Sequence, residues 1–150
     1  MSLADHLDPR AVLLSPNAAD KWALIDQLVD ALVASGGISA ERRNEARDAL
    51  QARERSVSTG MEQGIAVPHA ALENLGGVRS ALAVLPAGLD FQSLDGQPAR
   101  IVVLLLVPKE ERITHVRTLT EVARRLGDAG FRDKILRCED PDALVEYWRV

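Results

Sequence analysis

Residues 99–108 read ARIVVLLLVP, and this stretch decides the fold. Every side chain from Ile101 to Val107 is apolar, and Pro108 stops the run. A strand with one wet face alternates apolar and polar residues, so a run without alternation predicts a central strand covered on both faces. The run is far too short to span a bilayer.

Working outward, DGQP at 95–98 marks a turn before this strand. VRSALAVLP at 78–86 alternates in part and predicts a strand ending at Pro86, and GIAVP at 64–68 predicts a short one ended by Pro68. Upstream, SPNAADKWALIDQLVDALVASGG at 15–37 predicts a helix. Its expected N-cap is Ser15 with Pro16 at the first helical position, and Gly36 and Gly37 close it. Trp22, Ile25, Leu28, Val29 and Leu32 recur at three and four to give its buried stripe. A second, more polar helix is expected from Ser39 through AERRNEARDALQARE at 40–54. Arg42 stands where a capping box would have Glu, so that cap is incomplete. After the central strand, a long helix is expected at about 111–127, followed by short ones near 131–137 and 141–149. Helices, then strands, then helices around a fully apolar strand imply an α/β fold, a mixed sheet sandwiched by helices on both faces.

Composition sets the outer limits. At 150 residues, with 47% hydrophobic and 27% charged, the chain suits one globular domain spanning 1–150. A net charge of −4 offers no basic excess to neutralise phosphates, so nucleic acid is not an expected partner. Cys138 is the only cysteine, which removes an intramolecular disulfide and a cysteine-based zinc site. MSLADHLDPR at the start has no apolar core of a secretory signal. With no spanning segment either, no membrane insertion is expected and the chain reads as cytoplasmic.

The chemistry concentrates on TGMEQGIAVPHA at 59–70. His69 follows a strand that Pro68 ends, and ligands of open α/β sheets gather beyond the carboxyl ends of strands. His115 falls in the first turn of the long helix, in line with Leu119, Val122 and Leu126, and so is expected to point inward. The two histidines are then placed to meet at one end of the sheet. Taken singly, each has a plain reading: an inward histidine at a helix start is commonly structural, and a Pro-His dipeptide means little. His6, in a polar segment, reads as solvated. A two-histidine metal site lacks a third ligand at metal spacing, and a serine hydrolase lacks its Gly-x-Ser-x-Gly elbow. The remaining chemistry is a histidine nucleophile carrying a transferred group. Phosphoryl transfer would need cationic or N–H donors nearby. Arg53, the Ser58 and Thr59 hydroxyls, the loop N–H groups around Gly60 and Gly64, and the helix start near His115 are the candidates.

RERSVSTGMEQGIAVPHA at 53–70 resembles the active-site signature of the fructose/mannitol-type enzyme IIA domains of the bacterial phosphotransferase system, which include the nitrogen-regulatory IIA proteins. The likeness covers almost the whole chain: DKWALIDQLVDALVASGGI at 20–38, FQSLDGQPARIVVLLLVP at 91–108 and THVRTLTEVARRLGD at 114–128 resemble the family's first helix, its central hairpin and its second-histidine helix. The resemblance implies a roughly five-stranded mixed sheet, no metal and no organic cofactor. It implies that His69 accepts a phosphoryl group from the histidine phosphocarrier protein, with His115 beside it and Arg53, Ser58 and Thr59 close by. The onward partner would be a IIB cysteine or a regulatory target. Met61, Glu62 and Gln63 depart from the family's Gly-Asn-Gly-like stretch, and Glu62 brings a carboxylate near an expected dianion. Because the chain ends at Val150 without a IIB-like cysteine motif, a freestanding regulatory IIA is expected, the alternative being a IIA subunit of sugar uptake.

Overall fold

The structure, a computed structural model, describes residues 3–149; Met1, Ser2 and Val150 lie outside the described residues. In chain order the elements are β1 (Leu7–Leu14), α1 (Lys21–Ala34), α2 (Arg43–Ser56), β2 (Ile65–Ala66), β3 (His69–Leu72), β4 (Arg79–Leu89), β5 (Ala99–Pro108), α3 (Arg112–Leu126), α4 (Ala129–Leu136) and α5 (Pro141–Arg149). They form one five-stranded mixed sheet with strand order β1-β4-β5-β2, β3 pairing with β5 alongside β2.

The apolar run is the central strand, as its composition dictates. Val102, Leu104 and Leu106 of β5 point into a core shared with Leu24, Leu28 and Leu50 of α1 and α2. Ile101, Val103, Leu105 and Val107 point the other way, against Val122, Leu126 and Trp148 of α3 and α5. All seven of these β5 residues are buried, so neither face of the strand meets water. None of the helices among the described residues is long and apolar enough to cross a membrane.

Three expectations need correction, each for a backbone reason. The first helix begins at Lys21 and is capped by Asp20, whose side chain accepts from Ala23 N at 2.8 Å. Ser15 instead has φ 53° and donates its N–H to Val84 O at 2.8 Å, extending the sheet ladder past β1. Strand β1 itself was not anticipated, because Pro9 and Arg10 break the apolar pattern of LDPRAVLL. It is an edge strand whose register shifts between Leu7 and Val12, the kind of place where a strand tolerates proline. Strand β4 runs through Pro86 to Leu89, and the pairing with β5 is irregular between Val84 and Leu89, around the proline that lacks a donor. The expected incomplete cap at Ser39 is seen: a 3-10 turn, Ala40–Arg42, leads into α2 and Ser39 makes no side-chain cap bond.

Candidate functional site

Strands β2 and β3 are two pieces of one edge. Both run parallel to β5, Ile65 opposite Ile101 and His69 opposite Leu105, with Val67 and Pro68 interrupting the line. Pro68 has no N–H to give the ladder, although its carbonyl still accepts from Leu105 N at 2.9 Å. The interruption leaves the Val67 carbonyl free to meet a side chain, and His69 Nδ1 lies 2.8 Å from it. His69 therefore opens a resumed strand instead of lying beyond the end of one, and the proline explains how its ring comes to be held by backbone.

His115 lies on the first turn of α3, with its ring centre 5.5 Å from that of His69 and the planes at 70°. The expected meeting of the two histidines is present. The expected burial of His115 is not: Thr118, Val122 and Leu126 form the buried line of α3, and His115 stands half-exposed at its margin, facing the other ring.

A 450 Å³ open pocket lies against His69, lined by Arg53, Ser58, Thr59, Gly60 and Val67 on one side and by Leu119, Thr120 and Ala123 of α3 on the other. No Asp or Glu side chain lines it. Arg53 donates to Val57 O at 2.8 Å from one nitrogen, which fixes the guanidinium at the end of α2. The hydroxyls of Ser58 and Thr59 are already committed, to the Phe91 carbonyl and to Glu54 Oε1 respectively. The Thr59 and Gly60 N–H groups are committed too, to Glu54 Oε2 and Ser58 Oγ, each at 3.0 Å. These residues shape the pocket wall, and their donors face inward. Gly60 is required by space: a Cβ there would lie 2.9 Å from Ser93 Cα and 3.0 Å from Phe91 O.

Gly64 is not brought to this pocket. It lines a different one beside Arg100, and its carbonyl accepts from Arg100 N and Ile101 N. Gln63 and Gly64 have φ 67° and 78°, so together they turn the chain from Gly60 back into β2. Glu62 is exposed at that turn and does not line the pocket. His6, expected in water, is half-buried against α3, and its carbonyl accepts from Ser80 Oγ at 2.6 Å.

The His69 pKa is lowered, first by burial of the ring and further by the Arg53 and His115 charges; the Val67 carbonyl contact and Glu54 oppose the shift. Neutral imidazole is the favoured form near pH 7. Among the described residues no three His, Cys, Asp or Glu side chains are grouped as a metal site.

Sequence reasoning missed two features. Val57, Met61 and Leu94 are large apolar residues on the pocket wall that remain 65%, 36% and 83% exposed. Lys21 and Glu54 are buried charges just behind that wall. The second had a signal: Lys21 precedes Ile25, Leu28 and Leu32 at stripe spacing, and Glu54 follows Ala46 and Leu50 in steps of four.

Residues 5–149 match the family model described as "Phosphoenolpyruvate-dependent sugar phosphotransferase system, EIIA 2". The chain belongs to this family. It is 29% identical over 146 residues to the fructose-specific EIIABC component of the phosphotransferase system of Bacillus subtilis, covering 97% of this chain but only 23% of that protein. It is 28% identical over 144 residues to the nitrogen regulatory protein of Bradyrhizobium diazoefficiens, covering 96% of this chain and 92% of that protein. Among solved structures, the nitrogen regulatory protein IIA-Ntr of Neisseria meningitidis superposes with a TM-score of 0.87 at 21% identity, covering 97% of this chain and 98% of that one. The fold is thus that of the type 2 IIA proteins.

Proposed function

We propose that His69 is a phosphoryl acceptor and that the attacking atom is Nε2. The contact between Nδ1 and the Val67 carbonyl carries this reading. A carbonyl only accepts hydrogen bonds, so Nδ1 bears the proton and the lone pair of the neutral ring lies on Nε2. No base is needed to expose it. The Nε2–P bond forms as the P–N bond of a phosphorylated histidine donor breaks, and the electron pair of that bond returns to the donor ring. Arg53 supplies a cation beside the reacting group, the neighbouring His115 ring supplies an N–H, and the pocket walls bring no carboxylate to oppose the charge. Phosphoryl transfer of this kind is positioning and electrostatics, and these groups supply both.

The donor is the histidine phosphocarrier protein. The exposed Val57, Met61 and Leu94 beside the pocket give a protein partner an apolar surface next to the reacting ring. We place the chain as a regulatory IIA that acts on partner proteins through its phosphorylation state, a reading supported by its end-to-end likeness to the nitrogen regulatory relative. The second reading, a IIA subunit of sugar uptake passing phosphate to a IIB cysteine, is supported by the fructose-specific relative.

Incubation with the phosphorylated carrier, followed by mass measurement of the peptide containing His69, tests the acceptor. His69→Ala should fold and take no label; wild-type labelling of that variant overturns the assignment. Presenting the phosphorylated protein to a IIB domain then separates the two roles. Transfer to the IIB cysteine marks transport, and retention of the label marks regulation.

A further inference from the structure

Lys21 and Glu54 are the only charged side chains that are buried among the described residues, at 4% and 2% exposure. They are bonded to each other, Lys21 Nζ donating to Glu54 Oε2 at 3.0 Å. The same carboxylate accepts the Thr59 N–H and hydroxyl. The ammonium also donates to Gln92 Oε1 at 2.8 Å and lies 5.0 Å from the Trp22 ring centre. A buried ion pair loses hydration on both partners, and apolar replacement of such pairs is often neutral or stabilising. Stability alone is therefore a weak account of these two charges.

Their place in the fold says more. Glu54 follows Arg53 in the last turn of α2, and Thr59, which it holds, lines the His69 pocket with Gly60. Gln92 lies between Phe91, whose carbonyl receives the Ser58 hydroxyl, and Leu94 on the pocket rim. One ammonium thus joins the start of α1, the end of α2 and the loop before β5 behind a single pocket wall.

We propose that Lys21 is a positioning residue for phosphoryl transfer: its ammonium cancels the Glu54 carboxylate and, with it, holds the Thr59–Gly60 wall against the His69 ring. The proposal rests on the reading of His69 as acceptor. The charged and titratable groups that act on His69 are Arg53 and Glu54 from α2 and His115 from α3, with Lys21 of α1 standing behind Glu54. Of the charges acting on the ring, Arg53 is the largest, and the carboxylate that opposes it is the one bonded to the Lys21 ammonium. This favours neutral imidazole before transfer and a phosphoryl group of about −1.5 to −2 after it. Without the ammonium, Glu54 is an unopposed anion that favours imidazolium and repels the phosphoryl group. Both effects reduce phosphorylation.

The test is an NMR titration of the His69 ring, with the phosphotransfer equilibrium against the carrier measured in parallel. Lys21→Met should raise the His69 pKa by about 0.5–1 unit and lower the equilibrium constant about threefold to tenfold. Lys21→Arg should hold both near wild type, and Lys21→Met with Glu54→Gln should bring the pKa back. Glu54→Gln alone, which leaves the ammonium unopposed, should move the pKa down, and this arm decides the matter if Lys21→Met does not fold. An unmoved His69 pKa in folded Lys21→Met or in Glu54→Gln overturns the proposal, as does a rise that the double variant fails to reverse. The titration needs no phosphoryl donor. A wild type that takes no phosphate therefore defeats the acceptor reading, while the titration separately judges the charge cancellation.

Discussion

Gly60→Ala perturbs the wall of the pocket by one methyl group, and the structure sets the size of the effect. The added carbon would lie 2.5 Å from Ser93 Oγ, 2.9 Å from Ser93 Cα and 3.0 Å from Phe91 O. Carbon atoms prefer about 3.5–4.0 Å, so the gap to Ser93 Cα must open by roughly 0.6 Å or more. The Ser93 hydroxyl can rotate, but the other two contacts are backbone, and the Phe91 ring behind them is fully buried. Overpacking of this kind costs about 1–3 kcal/mol. For a chain of this size that lowers the Tm by roughly 2–12 °C. The displaced Phe91 carbonyl is also the acceptor of the Ser58 hydroxyl, so phosphorylation by the carrier should slow as well. Thermal unfolding by circular dichroism and the rate of labelling are the two readings. Gly76→Ala is the control, since a Cβ there meets only Arg79 Nη2 at 3.5 Å, an ordinary contact. If Gly60→Ala unfolds with the control and labels at the wild-type rate, the steric reasoning about this wall is wrong.

Other outcomes are expected from the same geometry. His115→Ala should lose a charge-assisted hydrogen bond worth about 1.5–3 kcal/mol, seen as an order of magnitude or more in phosphoryl occupancy at equilibrium with the carrier; unchanged occupancy makes His115 merely structural. Glu62→Gln should leave that occupancy unchanged even at low salt, because Glu62 is exposed and outside the pocket; a gain would show that its charge reaches His69. Leu94→Ser should weaken association with the carrier in a binding titration while leaving the Tm near wild type, since Leu94 is 83% exposed. The folded pKa values of His6 and His69 are both lowered by burial, so below pH about 6.5 the unfolded chain binds protons that the folded chain does not. Stability should fall as pH drops from there toward the folded values, and denaturation curves of His69→Gln should show a smaller acid loss than wild type.

Strands β2, β4 and β5 could be read in advance, β5 most plainly because a strand apolar on both faces has to be central, whereas β3 could not, since Pro68 reads as a strand end. The helices were equally plain where three-and-four periodicity was strong, as in Ile25, Leu28, Val29 and Leu32 of α1, although Leu24 is buried there and Trp22 only partly, and Val122 and Leu126 of α3. Strand β1 escaped because edge strands admit proline, and Pro9 in LDPRAVLL mimics a loop. The start of α1 was misplaced because Ser15 and Asp20 are both good caps, and only the ladder bond from Ser15 to Val84 decides between them. At the site, His69 lies beside both His115 and Arg53, although His69 opens a strand and His115 is half-exposed where a loop position and an inward ring were expected. The donors were harder. Whether Ser58 and Thr59 offer their hydroxyls to a ligand or to the protein depends on Phe91 and Glu54, distant in sequence or buried, and both hydroxyls turn inward.

The account stands on Nε2 of His69 as the atom that takes the phosphoryl group. Nitrogen and phosphorus NMR of the protein, labelled at its histidine ring nitrogens and phosphorylated by the carrier, reads that atom directly. The expected spectrum has a single phosphorus signal coupled to Nε2 of His69, with Nδ1 still protonated against the Val67 carbonyl. Coupling to Nδ1, or to a ring nitrogen of His6 or His115, contradicts it.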